Sequence, residues 1–184
     1  IQFFSGFKLV DGSMFRDFCI VSTALGVSFP VMIQAGKAGV ISLALGLFLS
    51  FVVGVLIGLG FGYRDAESLA TIGAGTLTFI VGPVTGTALG ASSDVIALSV
   101  ATGVVKAITV TIATPLIAKK IQLDNPHSAM VFGGLMGTTS GVAAGLAATD
   151  QKLVPYGALT ATFYTGLGCL LCPSAFYLLL KLFI

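Results

Sequence analysis

The stretch GPVTGTALGASSD, residues 82–94, is followed along the chain by a similar stretch, GTTSGVAAGLAATD, residues 137–150. Each copy carries three glycines spaced four residues apart, contains small hydroxyl residues, and ends in an aspartate, Asp94 or Asp150. Paired polar segments that are interrupted by glycine, within an otherwise apolar chain, indicate the binding site of a transporter. The alternative is that the small residues only allow membrane helices to pack closely. The hydroxyl groups and the aspartates favour the binding site.

The composition indicates a polytopic membrane protein. The 184 residues are 56% hydrophobic and only 9% charged, with a mean hydropathy of +1.06, whereas soluble domains carry about 25% charged residues. A net charge of +2 without a basic run argues against a nucleic-acid partner. The three cysteines and one histidine do not form the set of about four ligands that a zinc site needs. No nucleophile and base are paired in an apolar segment, so we expect no catalytic residues.

Six apolar segments are long enough to cross a bilayer, which takes about 20 residues. They cover residues 17–34, 39–61, 67–93, 95–118, 128–149 and 155–183. The pattern predicts an all-α fold with about six transmembrane segments in one transport domain, residues 1–184, with repeat copies at about 67–118 and 128–183. Pro83 after Gly82, and the hydroxyl-rich second copy, predict that both glycine segments are broken helices. We expect them to lie close together near the membrane midplane, surrounded by protein or by a water-filled cavity.

Six spans distribute the basic residues unequally between the two sides of the membrane. Side one would hold Lys8, Arg16, Arg64, Lys119, Lys120 and Lys181, and side two would hold Lys37 and Lys152. The positive-inside rule then places side one, with both ends of the sequence, in the cytoplasm. With one span between them the two copies would point in the same direction, whereas many transporters contain inverted repeats. Parallel copies, or a re-entrant glycine segment with a different number of spans, both stay open at this point.

Lys106 lies near the middle of the fourth segment, among valine, alanine and isoleucine. A lysine at the centre of a span costs roughly 2.5–3.5 kcal/mol on insertion scales, and Lys119 is about 20 Å away along a helix. We therefore expect Lys106 to point into the protein and to meet an anion. A permanent salt bridge to Asp94 or Asp150 would satisfy it, and so would a substrate carboxylate in one state of a transport cycle.

Broken helices expose backbone groups that bind ions. Free amides at the start of a half-helix suit a carboxylate, so we predict a substrate site made of Lys106 and two such segments. The segments are Pro83, Val84, Thr85 and Gly86 in the first copy, and Thr138, Thr139, Ser140 and Gly141 in the second. Hard cations prefer oxygen ligands, and we predict a sodium site in which Asp94 is the more important carboxylate. Its residues are Ser92, Ser93, Asp94 and Asp150. The alternative is that both aspartates are solvated helix caps.

Two long runs of the sequence resemble a known family. TIGAGTLTFIVGPVTGTALGASSDVIALS at residues 71–99 and NPHSAMVFGGLMGTTSGVAAGLAATDQKLVPYGALTATFYTGLGCLL at residues 125–171 are similar to the larger, MadM-type subunit of bacterial malonate/sodium symporters. The likeness covers nearly all of the chain, including GYRDAESL at residues 62–69. It implies a secondary transporter that imports malonate with sodium as the co-transported ion and requires a smaller, MadL-type membrane subunit. It also implies that residues precede Ile1, because members of the family are longer at the N-terminus.

The favoured function is therefore a sodium-coupled dicarboxylate importer, multi-pass in the bacterial cytoplasmic (inner) membrane and compatible with a homo-oligomer of the complex. The alternative is an LrgB/holin-like export or channel protein, to which the glycine segments and KAITVTIATPLI at residues 106–117 show a weaker likeness. A third class is a structural subunit whose glycines only mediate helix packing. Counterflow in reconstituted vesicles, with and without sodium, separates the first class from the other two.

Overall fold

A computed structural model describes residues 36–184, and the first expected span, residues 17–34, lies outside the described residues. The helices are α1 Gly36–Gly60, α2 Ala66–Leu77, α3 Val81–Leu89, α4 Ser93–Ile117, α5 Pro126–Met136, α6 Thr139–Ala147, α7 Val154–Leu171 and α8 Tyr177–Phe183. A 3-10 turn, Gln151–Leu153, leads into α7, and a π-helix, Cys172–Phe176, joins α7 to α8.

Three stretches of the described residues are long and apolar enough to cross a membrane: Gly36–Gly60, Ser93–Ile117 and Gln151–Phe183. The two shorter ones have 25 residues each, or about 37 Å of helix, which exceeds the hydrocarbon thickness of about 30 Å. The prediction of an all-α polytopic membrane protein is confirmed. The predicted number of six spans is not confirmed.

The first glycine segment folds back on itself. α2 has 12 residues and α3 has 9, about 18 Å and 14 Å of helix. A Cβ atom built on Gly82 would lie 3.0 Å from Cα of Gly75, and one built on Gly86 would lie 2.8 Å from Cγ2 of Thr71. Because residue numbers rise along α3 as they fall along the facing side of α2, the two helices are antiparallel. We call α2, its turn at residues 78–80 (tip 1) and α3 hairpin 1.

α5 and α6 form a second, more open hairpin around α7. Gly157, near the start of α7, contacts Ala129 at the start of α5 and Leu146 at the end of α6. Gly137, directly after α5, lies against the ring of Tyr164, about two turns further along α7. α5 thus runs in the same direction as α7, and α6 returns to the level at which α5 began. We call α5, its turn at residues 137–138 (tip 2) and α6 hairpin 2.

The two hairpins enter from opposite sides of the membrane. Gly75 in α2 lies against Ser99 in α4, and Phe79 at tip 1 lies against Gly103, so α2 and α4 run in the same direction. α4 then crosses to the other side, where α5 begins. Hairpin 1 with α4 and hairpin 2 with α7 are therefore inverted repeats of the kind found in many transporters.

This topology corrects the count of spans and the distribution of charges. The apolar segments 67–93 and 128–149 are re-entrant, because each is divided into two short helices. Following the chain through its three crossing stretches places four basic residues of the described part on one side and two on the other. The first side holds Lys37, Lys119, Lys120 and Lys152, and the second holds Arg64 and Lys181. The six-to-two distribution expected from six spans therefore does not apply to the described residues.

Apolar side chains from both repeats fill two buried clusters. One contains Leu47, Phe51, Val55, Ala70, Ala74, Leu77, Val81, Tyr164 and Cys172. The other contains Val110, Ala118, Leu123, Ala129, Phe132, Val142, Leu146, Leu153 and Ala161. α2 is buried along almost its whole length. α2 is thus surrounded by protein, which the interior of a membrane requires of interrupted helices.

Candidate transport site

Both hairpin tips touch the middle of α4. Gly103 lies against the backbone of Phe79 at tip 1. One turn further along α4, the carbonyl oxygen of Ala107 would lie 2.7 Å from a Cβ atom built on Gly141, in the first turn of α6. The two tips therefore meet within about one turn of the same crossing helix. Lys106 lies on that turn.

The middle of α7 touches both tips in the same way. Tyr164 lies against Gly137 at tip 2, and a Cβ atom built on Gly168 would lie 3.0 Å from Cδ2 of Leu77 at the end of α2. These two positions of α7 each follow the corresponding positions of α4 by 61 residues. The inverted repeats thus bring equivalent turns of their crossing helices to the two tips, as expected of segments that lie close together near the middle of the membrane.

Lys106 points into the protein, as its apolar surroundings predict. Its Nζ donates to Oγ of Ser50 at 3.0 Å and to the carbonyl oxygen of Leu77 at 3.2 Å. It also lies 5.3 Å from the centre of the Tyr164 ring, which places the cation over an aromatic face. Leu77 is the last residue of α2, so the ammonium group sits at the negative end of that half-helix.

In hairpin 1 the backbone amides at the turn already donate to acceptors within the hairpin. Oγ1 of Thr78 accepts from the amides of Ile80 and Val81, both at 3.2 Å. The amide of Gly82 donates to the carbonyl of Thr78 at 3.4 Å, and Pro83 has no N–H group. Within the described residues, the start of α3 therefore offers no free amide to a ligand, although the sequence predicted a cradle there.

The other residues of the first predicted cradle lie along α3. The amide of Val84 donates inside the helix at 3.4 Å, and Gly86 packs against Thr71 and Ile96. Thr85 is fully buried, and its hydroxyl has no hydrogen-bond partner among residues 36–184. Of these residues, Thr85 alone presents an unused polar group.

Hairpin 2 leaves its turn open. Thr138 directly precedes α6, but its hydroxyl caps no amide and is buried without a partner in the described part of the chain. The amides of Thr139, Ser140 and Gly141 form the first turn of α6 and have no carbonyl four residues back within the helix. Ser140 is exposed and Thr139 half-buried. The second predicted cradle thus combines free amides, a free hydroxyl and a route of access.

The residues predicted to bind sodium are not brought together. Oγ of Ser92 accepts from the amide three residues on at 3.4 Å and caps α4, with Ser93 and Asp94 exposed in the same turn. Asp150 is exposed and caps the 3-10 turn through the amide two residues on, at 2.9 Å. These caps lie at the bases of different hairpins, on opposite sides of the membrane. No group of three or more His, Cys, Asp or Glu in residues 36–184 could hold a metal ion. A role in sodium binding stays a prediction, and Lys106 contacts neither aspartate.

Over residues 1–184 the sequence matches the family described as the malonate/sodium symporter MadM subunit. The chain belongs to this family. No curated protein and no solved structure matches it. Membership of the MadM family makes the chain a subunit of a membrane transporter and not an enzyme, in agreement with its long apolar helices.

Two residues at the meeting point of this MadM-family fold were not predicted from the sequence. Ser50 in α1 accepts from Lys106 through its hydroxyl and from the Thr76 hydroxyl through its carbonyl, at 2.7 Å. Tyr164 donates from its hydroxyl to the carbonyl of Gly46 at 3.0 Å. The available signals were a hydroxyl residue inside the most apolar run and a tyrosine near the middle of the last span.

Proposed function

We propose that this chain carries malonate across the bacterial cytoplasmic membrane together with sodium. The observation that supports this most directly is the meeting of two inverted, re-entrant hairpins at Lys106. Half-helix ends in the membrane supply groups that bind ions without adding buried charges. Because the meeting point lies at the middle of the crossing helices, it is distant from both surfaces. Alternating access requires a site of that kind.

One malonate carboxylate binds at the start of α6 and the other pairs with Lys106. The free amides of the first turn, residues 139–141, suit a carboxylate because they carry partial positive charge. Nζ of Lys106 lies 5.3 Å from the centre of the Tyr164 ring, and the same ring lies against Gly137, two residues before this turn. This supports placing the ammonium group and these amides at the border of one site. A single CH2 group separates the two carboxylates of malonate, which matches two anion-binding groups that are close to each other.

Lys106 is suited to binding in one state and release in another. Its present partners, the hydroxyl of Ser50 and the carbonyl of Leu77, are neutral. A substrate carboxylate forms a stronger, charge-assisted hydrogen bond with the ammonium group. Among residues 36–184, no protein carboxylate has to be displaced from the lysine first. In the proposed transport cycle the ammonium group exchanges these contacts for the malonate carboxylate.

The proposal includes a second membrane protein, a MadL-type small subunit, and a complex that contains more than one copy is compatible with it. α1 and α4 present large apolar side chains outward, among them Phe48 at 54%, Val105 at 64% and Leu116 at 73% exposure. Such faces suit lipid chains or the apolar helices of a partner.

Uptake of labelled malonate by membrane vesicles tests the proposal. Vesicles that contain the chain and its small partner are expected to take up malonate only when sodium is present outside. Lys106→Met should raise the half-saturating malonate concentration on the order of 30-fold or more, since removing one partner of a buried charge pair costs at least 2 kcal/mol or so. Lys120→Met, which removes a lysine from an exposed turn, is the matched control and should transport normally.

Two outcomes would contradict the proposal. Normal uptake by Lys106→Met at equal expression would place the anion site elsewhere. Sodium-independent release of solutes, without malonate uptake, would support the export or channel alternative.

A further inference from the structure

The two tips are related by the repeat but carry different groups. The N-caps of α2 and α5, Asp65 and Asn125, each accept a hydrogen bond from the amide of a serine three residues on, and they are 60 positions apart. In this register Thr78 at tip 1 corresponds to Thr138 at tip 2. Both threonines are buried, with 2% and 0% exposure. The side chains of the two tips can therefore be compared position by position, as two copies of one motif.

A side-chain cation occupies the carbonyl end of α2 at tip 1. Nζ of Lys106 donates to the carbonyl oxygen of Leu77 at 3.2 Å. The last carbonyls of a helix lack helical partners and carry partial negative charge. The lysine thus identifies the end of the first half-helix in this motif as a place where a cation binds.

Tip 2 has no side-chain cation at the equivalent position. The residue that follows Lys106 by 61 positions, the interval between the crossing helices, is Leu167. Near the carbonyl end of α5 the hydroxyl of Thr138 is buried and has no partner among the described residues, whereas the hydroxyl of Thr78 accepts from two amides. The amide of Thr138 donates to the carbonyl of Met136 at 2.9 Å, which keeps this threonine beside the end of α5.

We propose that the co-transported sodium ion binds at tip 2, to Oγ1 of Thr138 and to carbonyl oxygens at the end of α5, at Met136 and Gly137. The ion takes there the place that the ammonium group of Lys106 takes at tip 1. Hydroxyl and carbonyl oxygens are ligands that hard cations accept. The inference rests on the proposed function, and it places sodium at the hairpin tip instead of at the aspartate-containing caps.

The composition of the tips also accounts for coupling between sodium and substrate. Neither turn, residues 78–80 or 137–138, contains a carboxylate, so no negative charge of the turns themselves offsets the dehydration of the ion there. The first turn of α6, where a malonate carboxylate binds in our proposal, begins directly after Thr138. The carboxylate supplies the missing negative charge, and the ion in turn favours the carboxylate. Each ligand therefore raises the affinity for the other by the same factor.

A sodium titration of the purified complex of this chain and its small partner tests the site. Sodium binding is measured as the rise in melting temperature, with and without malonate, and with potassium keeping the ionic strength constant. Thr138→Val keeps the shape of the side chain but removes its oxygen. It should raise the half-saturating sodium concentration about tenfold or more. Thr138→Ser, which retains the hydroxyl, should stay close to the wild type.

Thr165→Val is the matched control. Thr165 is also a buried threonine of this membrane region, but its hydroxyl donates within α7 to the carbonyl of Ala161 at 3.1 Å. Its removal should leave the sodium dependence unchanged. If Thr138→Val does not give a folded complex, Thr138→Ala and Thr138→Ser decide in its place, because only the alanine variant should weaken sodium binding.

An unchanged sodium dependence in the variants without the hydroxyl would overturn the tip site, as would an equal loss in Thr165→Val. A loss in Asp94→Asn with none in Thr138→Val would place sodium at the surface cap instead.

Failure of the proposed function gives a different pattern. If sodium stabilises the wild type, Thr138→Val weakens this, and malonate has no effect, the cation site stands and malonate fails as the substrate. If sodium does not stabilise the wild type under either condition, the cation site fails, while malonate uptake can still be measured independently.

Discussion

Gly137 allows hairpin 2 to approach α7 more closely than a residue with a side chain would. Its φ is 71°, in the left-handed region, which costs residues with a Cβ atom roughly 1–2 kcal/mol. The ring of Tyr164 occupies the space that a Cβ atom would need. The same ring lies 5.3 Å from Nζ of Lys106. The glycine therefore lets tip 2, the aromatic ring and the ammonium group come together.

Gly137→Ala is expected to destabilise the protein by at least about 1–2 kcal/mol, from backbone strain alone, and by more because the ring of Tyr164 has to move. Thermal unfolding of the purified complex measures the change. Gly166→Ala is the control, since nothing lies within 4 Å of a Cβ atom there and alanine is favoured over glycine in a helix by up to about 1 kcal/mol. Equal melting temperatures for the two variants would show that tip 2 relaxes around the added methyl group.

The environment of Lys106 shows what a sequence can and cannot predict about single residues. Its depth in an apolar segment predicted that it points inward, because exposure of the charge to lipid is costly. Its partners were not predictable. Ser50, Leu77 and Tyr164 belong to three other helices, and only the hairpin topology brings those helices to one point.

At the scale of elements, the sequence predicted broken helices and left open whether a glycine segment is re-entrant. The segments 67–93 and 128–149 are long enough for one span or for two half-helices, so length and hydropathy do not separate these possibilities. A signal was present in the caps. Asp65 and Asn125 each precede a serine by three residues. Aspartate and asparagine are preferred N-cap residues, so this pattern indicates the start of a helix, and it occurs at the same place in both copies.

The register of the repeat also differs from the one that the glycines suggest. Gly82 lies inside α3, whereas Gly137 lies before α6, so the two glycine runs are not equivalent in the structure. The similarity between the stretches that begin at residues 97 and 158 reflects the structural register of the repeats better. Ser99 packs against Gly75 of α2, and Thr160 packs against Gly133 of the equivalent helix α5. Spaced glycines recur wherever helices pack closely, and they therefore align sequences less reliably than caps do.

The cap of α2 makes the stability of hairpin 1 dependent on pH. Hydrogen bonding from Ser68, through its hydroxyl and then its amide, lowers the pKa of Asp65. A carboxyl group with a lowered pKa stabilises the folded state above its unfolded pKa, near 4, and this stabilisation is lost as the pH falls through the folded value. We expect Asp65→Ala to cost about 1 kcal/mol near neutral pH. Asp65→Asn should keep the cap and remove only the loss below about pH 4. Melting temperatures of the three proteins between neutral and acidic pH measure this, and parallel curves for wild type and Asp65→Asn would exclude Asp65 as the titrating group.

At the scale of the whole molecule, the hairpin topology changes the expected orientation in the membrane. Each re-entrant segment returns to the side from which it entered, so the turn between α1 and α2 and the turn between α3 and α4 share one side. The turn between α4 and α5 and the one before α7 share the other. That second side carries Lys37, Lys119, Lys120 and Lys152, against Arg64 and Lys181 on the first. For the described residues the positive-inside rule therefore places this second side in the cytoplasm, which keeps the orientation of α4 that six spans gave and reverses the orientations of α1 and α7.

Cysteine labelling of intact cells tests this orientation. In a background with Cys19, Cys169 and Cys172 replaced by alanine, a single cysteine is introduced by Ser93→Cys or by His127→Cys, both at exposed positions on opposite sides. Because the positive-inside rule places the side with four of the described basic residues in the cytoplasm, we expect a membrane-impermeant maleimide to label Ser93→Cys in intact cells and His127→Cys only after permeabilisation. The reverse pattern would contradict the orientation that the positive-inside rule favours for α4 while leaving the hairpins intact. Labelling of both sites from the same side would contradict the inverted repeat itself, because α4 crosses the membrane once between them.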